Sequence, residues 1–266
     1  FHNRSYIDKM REWSKQYQMM ICPGSFFEEK NSDIYHVSCL FDNGKEVLHQ
    51  EKIYRSSFEK QKNIQRGTKI HTYQTQNMHI GIIVDSDIFY PQIAREMAKR
   101  GVNLVIAPVS YMEKEIYPNI QRQGVWREVQ QNTFFAIESC MELTIDGITT
   151  SGKSRIHGPL EMTKDDSGIL SDKVENETVY CFLDQAKRQQ AVQRFDVLAQ
   201  LNNEVYKNQG LFPYEDSNRR KNYKIKVGCV QRQIYPVSTK KAYRSMMEAF
   251  FIKAQAQKVQ LLVFPE

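Results

Sequence analysis

The chain has 266 residues, 41% of them apolar and 26% charged, with a net charge of +6. That length supports a sizeable core. No apolar run approaches the roughly 20 residues of a membrane span, so a soluble globular protein with no membrane partner is expected. Lysines and arginines are spread along the chain rather than interleaved with aromatics in a stripe, which argues against nucleic-acid binding. Five cysteines without a CxxC pair argue against a disulfide framework or a zinc cluster, and for a reducing cytoplasm. Phe1-His2-Asn3-Arg4 carries no signal-peptide pattern.

In chain order, residues 5–17 predict an amphipathic helix with Ser5 as its N-cap. A short apolar run, Met19 to Cys22, stops at Pro23-Gly24. Ile34 to Phe41 and Glu46 to Tyr54 read as strands joined by the hairpin turn Asp42-Asn43-Gly44-Lys45. Residues 55–67 are polar and loop-like. Thr68 to Thr75 and Met78 to Val84 read as strands meeting near Gln76-Asn77. Pro91, at a first-turn position, opens a helix that closes at Gly101. Asn103 to Ala107 is a continuous apolar run of the kind buried on both faces of a sheet. Helix signals run from Gly124 to about Ser139, and Met141 to Ile145 is strand-like. Glycines 147, 152, 158 and 168 punctuate an irregular stretch, followed by a strand from Glu177 to Leu183. Residues 196–218 are polar and extended. Tyr223 to Gln231 is a strand. Ser238 caps a helix with Ala242, Met246, Met247, Phe250, Phe251 and Ala254 on one face. Residues 259–264 form the last strand, expected to lie parallel to 224–231 across that helix. Alternating strands and helices, interrupted by hairpins, predict an α/β fold with a mixed sheet or two stacked sheets flanked by helices.

Three of these strands deliver a charged group at their ends. Leu261-Leu262-Val263-Phe264-Pro265 leads to Glu266, His79 to Val84 leads to Asp85, and Glu46 to Glu51 leads to Lys52. In open α/β sheets chemistry collects beyond strand ends, so these three groups are expected to converge. Each also has a plainer reading. Asp85 and Asp87 can cap the following helix, Lys52 can be an exposed edge lysine, Glu266 can be a frayed terminal residue, and Glu59 can be a solvated loop charge beside Lys60 and Lys62. A metal held by Glu59, Asp85 and Glu266 is disfavoured by the adjacent Lys52, so neither metal nor cofactor is expected.

These motifs carry a resemblance. Gly81 to Arg95, with Asp85, Asp87 and Pro91, resembles the nucleophile segment of the nitrilase, or carbon–nitrogen hydrolase, superfamily, which usually reads G-x-x-I-C-Y-D-x-x-F-P-E-x-x-R. Lys52 to Glu59 resembles the family's lysine motif, K-x-H-L-T-P-x-E. Val263 to Glu266 resembles its general-base glutamate segment, Tyr17 to Ser25 its Y-x-I-x-I-x-G-S strand, and Arg127 to Ser139 the helix that usually ends A-I-E-N. Arg219-Arg220 ahead of Lys224 to Gln231 is similar to the branch fused to acetyltransferase-like domains, although no such domain is visible in the sequence.

The resemblance implies a four-layer α-β-β-α sandwich and hydrolysis of a small linear amide or nitrile. A thiolate attacks the carbon, a glutamate shuttles the proton, and a lysine ammonium stabilises the tetrahedral intermediate. It assigns catalytic positions to Glu266, Lys52, Asp85 and Glu59, and a substrate pocket to Tyr111, Met112 and Trp126. It also implies a homodimer or higher homo-oligomer. Two departures stand out. Asp85 occupies the nucleophilic cysteine's place, which points to an inactive or impaired enzyme, or to a catalytically silent binding or scaffolding relative. The motif order is also rotated: within one domain spanning 1–266, residues 219–266 correspond to the family's N-terminal part and 1–218 to the remainder.

Overall fold

The computed structural model describes residues 3–266 apart from 112–119, 142, 146–147, 151, 176–177, 195–196, 202–226, 230–238, 258, 260 and 264–266. The chain divides into two compact units, Phe1–Asn202 and Asn203–Glu266.

The first unit opens with helix α1 (Asn3–Gln16). Ser5 therefore lies inside the first turn rather than capping it. Strands β1 (Ser25–Lys30), β2 (Asp33–Asp42) and β3 (Lys45–Glu51) form an antiparallel meander. The apolar run Met19–Cys22 does not become a strand. It contributes one bridge, Ile21 to Phe41, because the polar-looking Ser25–Lys30 segment takes the pairing with β2 instead. The β2–β3 turn has the expected chemistry. Asn43 (φ 47°) and Gly44 (φ 78°) both take left-handed backbone, which matches the right-handed twist of the flanking strands. Gly44 N–H donates to Ser14 Oγ at 2.8 Å and so ties the hairpin to α1. A Cβ on Gly44 would also meet Lys15 Cβ at 3.2 Å. Gly44→Ala is therefore expected to lower the unfolding free energy by about 1 kcal/mol, read from a shifted urea midpoint at unchanged slope.

The second sheet has six strands in the order β11-β10-β7-β6-β5-β4. They are β4 (Thr72–Gln74), β5 (His79–Ile82), β6 (Leu104–Val109), β7 (Phe135–Cys140), β10 (Arg155–His157) and β11 (Ile169–Ser171). The central strands β5, β6 and β7 are parallel, and β4 and β10 flank them antiparallel. Two short hairpins, β8–β9 (Leu143–Ile145, Ile148–Thr150) and β12–β13 (Val174–Glu175, Thr178–Val179), stand outside it. Helix α2 (Ser57–Gln61) follows β3, α3 (Pro91–Lys99) joins β5 to β6, α4 (Arg127–Asn132) precedes β7, and α5 (Gln185–Arg194) follows β13.

Side-chain alternation separates two apolar layers. Leu40 and Leu48 from the first sheet meet Ile80, Ile82, Leu104 and Phe135 from the second. The opposite face of the second sheet turns Ile83, Val105, Ala107 and Ala136 toward Ala94, Met97 and Ala98 of α3 and Val129 of α4. Gly81 lies under α3, where a Cβ would come within 2.7 Å of Met97 Sδ. On the outer face of the first sheet, the Arg11 guanidinium of α1 sits 5.3 Å from the Phe41 ring. The sequence of layers within this unit is helix, sheet, sheet, helix.

The expected helix from Gly124 to Ser139 is shorter. A π-helical turn (Arg122–Trp126) runs into α4, and Thr133 ends it in left-handed backbone at φ 54°. Ala136-Ile137-Glu138-Ser139 then lies in the central strand β7, paired with β6. The chain's helical periodicity gives way there to an alternating, doubly buried pattern that a helix reading does not separate.

In the second unit, β14 (Val227–Cys229) pairs parallel with β15 (Leu261–Val263), in register Val227 to Leu261. Helix α6 (Lys240–Ala256) lies between them in the chain and is capped by Thr239, whose hydroxyl accepts Ala242 N–H at 3.2 Å. The expected parallel pairing is present, with the cap on Thr239 rather than Ser238.

Candidate active site

The site is built where β3, β5 and β6 of the first unit end. Lys52 follows β3, and its backbone is pinned on both sides. Its N–H donates to His36 O at 2.8 Å, and its carbonyl accepts Gly67 N–H at 2.7 Å. Residues 55–67 are not all loop: α2 starts with a capping box, in which Ser56 Oγ accepts Glu59 N–H and the Glu59 carboxylate accepts Ser56 N–H. The S-x-x-E spacing was the available signal. The box turns Glu59 inward, where it is 3% exposed, so it is no solvated loop charge.

Asp85 begins a 3₁₀ turn (Asp85–Phe89) between β5 and α3. Its φ of 50° is left-handed, a conformation that costs energy for a residue with a Cβ and that clusters at functional sites. Neither Asp85 nor Asp87 caps α3, whose N-cap, Tyr90, makes no side-chain bond. Asp87 is buried and takes Ile53 N–H at 2.7 Å and Tyr54 N–H at 2.8 Å on its two oxygens. It thereby clamps the loop bearing Lys52 onto the turn bearing Asp85. Burial holds its pKa up at about 6, against the pull of those two donors.

The charged groups meet at short range. Lys52 Nζ lies 2.9 Å from both Glu59 oxygens and 3.0 Å from Asp85 Oδ2. Lys52 and Glu59 are almost fully buried, and the Asp85 side chain is 19% exposed. Ser110 N–H and Oγ approach Asp85 Oδ1 at 3.4 Å. His36 Nδ1 donates to Glu59 Oε1 at 2.7 Å, and its Nε2 hydrogen-bonds with Ser25 Oγ at 3.0 Å. Burial alone would favour the neutral forms. It is overridden on Glu59 by hydrogen bonds from His36, Lys52 and Ser56, which bring its pKa to about 2. Burial is likewise overridden on Asp85, which Lys52 holds below the usual carboxylate range. On Lys52, burial is overridden by Asp85 and Glu59, which raise its pKa.

The sign of the pH dependence follows for Glu59. Its pKa falls from 4.5 to about 2 on folding, so its stabilisation is fully present above pH 4.5 and is lost as pH falls toward 2. Glu59→Gln is expected to cost about 2 kcal/mol at neutral pH and to flatten that acid limb, as measured by urea unfolding across the interval.

A cavity of about 450 Å³ opens onto this cluster and is lined by Phe27, His36, Phe58, Glu59, Asp85, Phe89, Ser110 and Tyr111, among others. Tyr111 is in the cavity wall. Its hydroxyl donates to Glu138 Oε1 at 2.7 Å, and Glu138 Oε2 meets His157 Nε2 at 2.8 Å, both residues fully buried. Trp126 is not among the described lining residues, and its indole N–H is taken by Ser167 O at 2.6 Å. Met112 and Glu266 lie outside the described residues. Lys52, Glu59 and Asp85 are thus brought together. His36, Ser110, Glu138 and His157 were not anticipated, and only inward alternation along β2 pointed to His36.

The profile of the carbon–nitrogen hydrolase family matches residues 3–162. The chain belongs to that family. Residues 3–162 hold α1, both apolar layers and the Lys52–Glu59–Asp85 cluster. Among curated relatives of this family member, a probable hydrolase of Bacillus subtilis, YhcX, is 23% identical over 51% of this chain and 27% of its own length. The N-carbamoylputrescine amidase of Arabidopsis thaliana is 26% identical over 49% of this chain and 45% of its own. The chain therefore spans less than half the length of either relative. Among solved structures, an amidase from Nesterenkonia sp. AN1 superimposes with a TM-score of 0.61 at 16% identity, covering 75% of this chain and 73% of that one. Saccharomyces cerevisiae Nit3, of the nitrilase superfamily, gives 0.61 at 17% over 74% and 71%. The fold is thus the nitrilase-like α/β sandwich, and the layering of the first unit accounts for it. No helix among the described residues is long and apolar enough to cross a membrane.

Proposed function

We propose that this carbon–nitrogen hydrolase is an amidase- or nitrilase-type scaffold for a small linear amide or nitrile, and that it is silent or strongly impaired as written. The observation that carries this is Asp85, set on a left-handed elbow at the end of β5 with its carboxylate 3.0 Å from the buried Lys52. That is where the nucleophile motif places a cysteine. A thiolate adds to an amide carbon, the C–N bond breaks as the protonated nitrogen leaves, and water clears the resulting thioester, whereas a carboxylate is a weak nucleophile toward an amide. Lys52 is the group to stabilise the tetrahedral oxyanion, with Glu59 holding it in place. The proton shuttle is assigned to Glu266 on its sequence motif alone. Residues 219–266 stand for the family's first segment in rotated order, a reading supported by the parallel β14–α6–β15 arrangement.

The relatives support a small amide. Structures of the Nesterenkonia amidase include a complex with butyramide and covalent addition at an active-site cysteine. A second reading, a catalytically silent binding protein, is favoured by the full occupation of the Lys52 ammonium. Ammonia release from a panel of short amides and nitriles separates the two. The natural chain is expected to release none and Asp85→Cys to release it. Turnover by the natural chain overturns the impairment. A folded but inert Asp85→Cys leaves only the binding role.

A further inference from the structure

We infer that the cavity is a binding site for a small organic cation, an alkylammonium or an amidinium, held by Asp85. The inference rests on reading Asp85 as the residue at the nucleophile position and concerns what that replacement makes of the pocket.

An ammonium has three hydrogens. Those of Lys52 face three acceptors at 2.9, 2.9 and 3.0 Å: both oxygens of Glu59 and Asp85 Oδ2. The Tyr111 hydroxyl in the cavity wall is turned away to Glu138. Lys52 and Tyr111, two donors that a neutral amide's carbonyl would seek, are thus already engaged. Asp85 Oδ1 offers the converse. Among the described residues Ser110 N–H and Oγ approach it at 3.4 Å, Ser86 N–H also donates to the carboxylate, and Asp85 lies in the cavity lining and keeps partial exposure.

Two carboxylates, Glu59 and Asp85, face the single ammonium of Lys52, with the His36 imidazole on Glu59 and the Asp87 carboxyl behind the turn. Lys52 and the hydrogen-bond donors hold both carboxylates ionised. Phe27, Phe58, Phe89 and Tyr111 supply aromatic surface around the same space, and ring faces attract cations. The cavity of about 450 Å³ is in the range of small-ligand sites. A ligand matched to it carries N–H donors and positive charge at one end and a short apolar body at the other.

The test uses the full chain, with n-butylammonium as probe and butyramide as its neutral counterpart, titrated calorimetrically. The ammonium is expected to bind at least about tenfold tighter, ~1.4 kcal/mol, and to weaken as salt is raised, while the amide does not. Asp85→Asn, shown to be folded by its melting curve, is expected to erase the preference. Equal or tighter binding of butyramide, a salt-independent ammonium affinity, or an undiminished preference in folded Asp85→Asn overturns the proposal. Asp85→Cys keeps the two readings apart. Ammonia release by that variant, with no ammonium binding by the natural chain, removes the cation site and leaves the hydrolase reading. Ammonium binding by the natural chain, with a folded and inert Asp85→Cys, does the reverse.

Discussion

Replacing Lys52 by Met is expected to lower the unfolding free energy by about 3–5 kcal/mol at neutral pH, the cost of removing one partner from a buried ion pair. Met matches the length and burial of the lysine stem, so the cost is electrostatic rather than a cavity. Among the described residues Lys52 Nζ alone bridges Glu59 and Asp85, and its removal leaves two carboxylates close together at the foot of one cavity. Glu59 retains His36 and Ser56 as donors, which keeps the variant folded. The deficit has a pH signature. Glu59 stabilises the natural chain above pH 4.5 and loses that effect as pH falls toward 2, so the gap between natural chain and variant narrows over the same interval. Urea unfolding at neutral and acid pH measures both. A loss below about 1 kcal/mol, the level of an exposed pair, would show that the cluster is solvated.

The other large effect is on chemistry. Asp85→Cys is expected to raise ammonia release from a short amide at least about 100-fold over the uncatalysed background at which the natural chain is expected to sit, the scale of one positioned catalytic contribution. The substitution acts twice. It supplies a sulfur nucleophile at the elbow, and it removes Asp85 Oδ2 from Lys52, freeing one ammonium hydrogen for the substrate oxygen. The second effect predicts a control: adding Lys52→Met to Asp85→Cys returns the rate to background, while each protein is checked for folding. Ser86 stands where the family has tyrosine, so the gain is expected mainly in kcat, with KM remaining high. An Asp85→Cys rate indifferent to Lys52 would rule out the oxyanion role.

Much of this was legible along the chain because it depends on neighbours a few residues apart. The Asn43-Gly44 turn, the Pro91 helix start and the doubly apolar run now seen as β6 each follow from local backbone and burial rules. The charged strand ends point to Lys52, Asp85 and Glu266 as one group; Lys52 and Asp85 lie 3.0 Å apart, and Glu266 lies outside the described residues. Other features depend on contacts distant in sequence. Ser25–Lys30 pairs with β2 although it looks polar. Ala136 to Ser139 becomes a central strand because β6 offers an open ladder. Glu59, flanked by lysines, is buried because a capping box aims it at Lys52 and His36, residues 7 and 23 positions away. Asp87 resembled a helix cap, yet it bonds the backbone of Ile53 and Tyr54, joining the ends of the two sheets. Periodicity and capping act over one or two turns, so the chain alone displays them. The partner of a buried charge is chosen by the cost of leaving it unpaired once water is excluded, and only the assembled sheets decide which group is near enough to supply it.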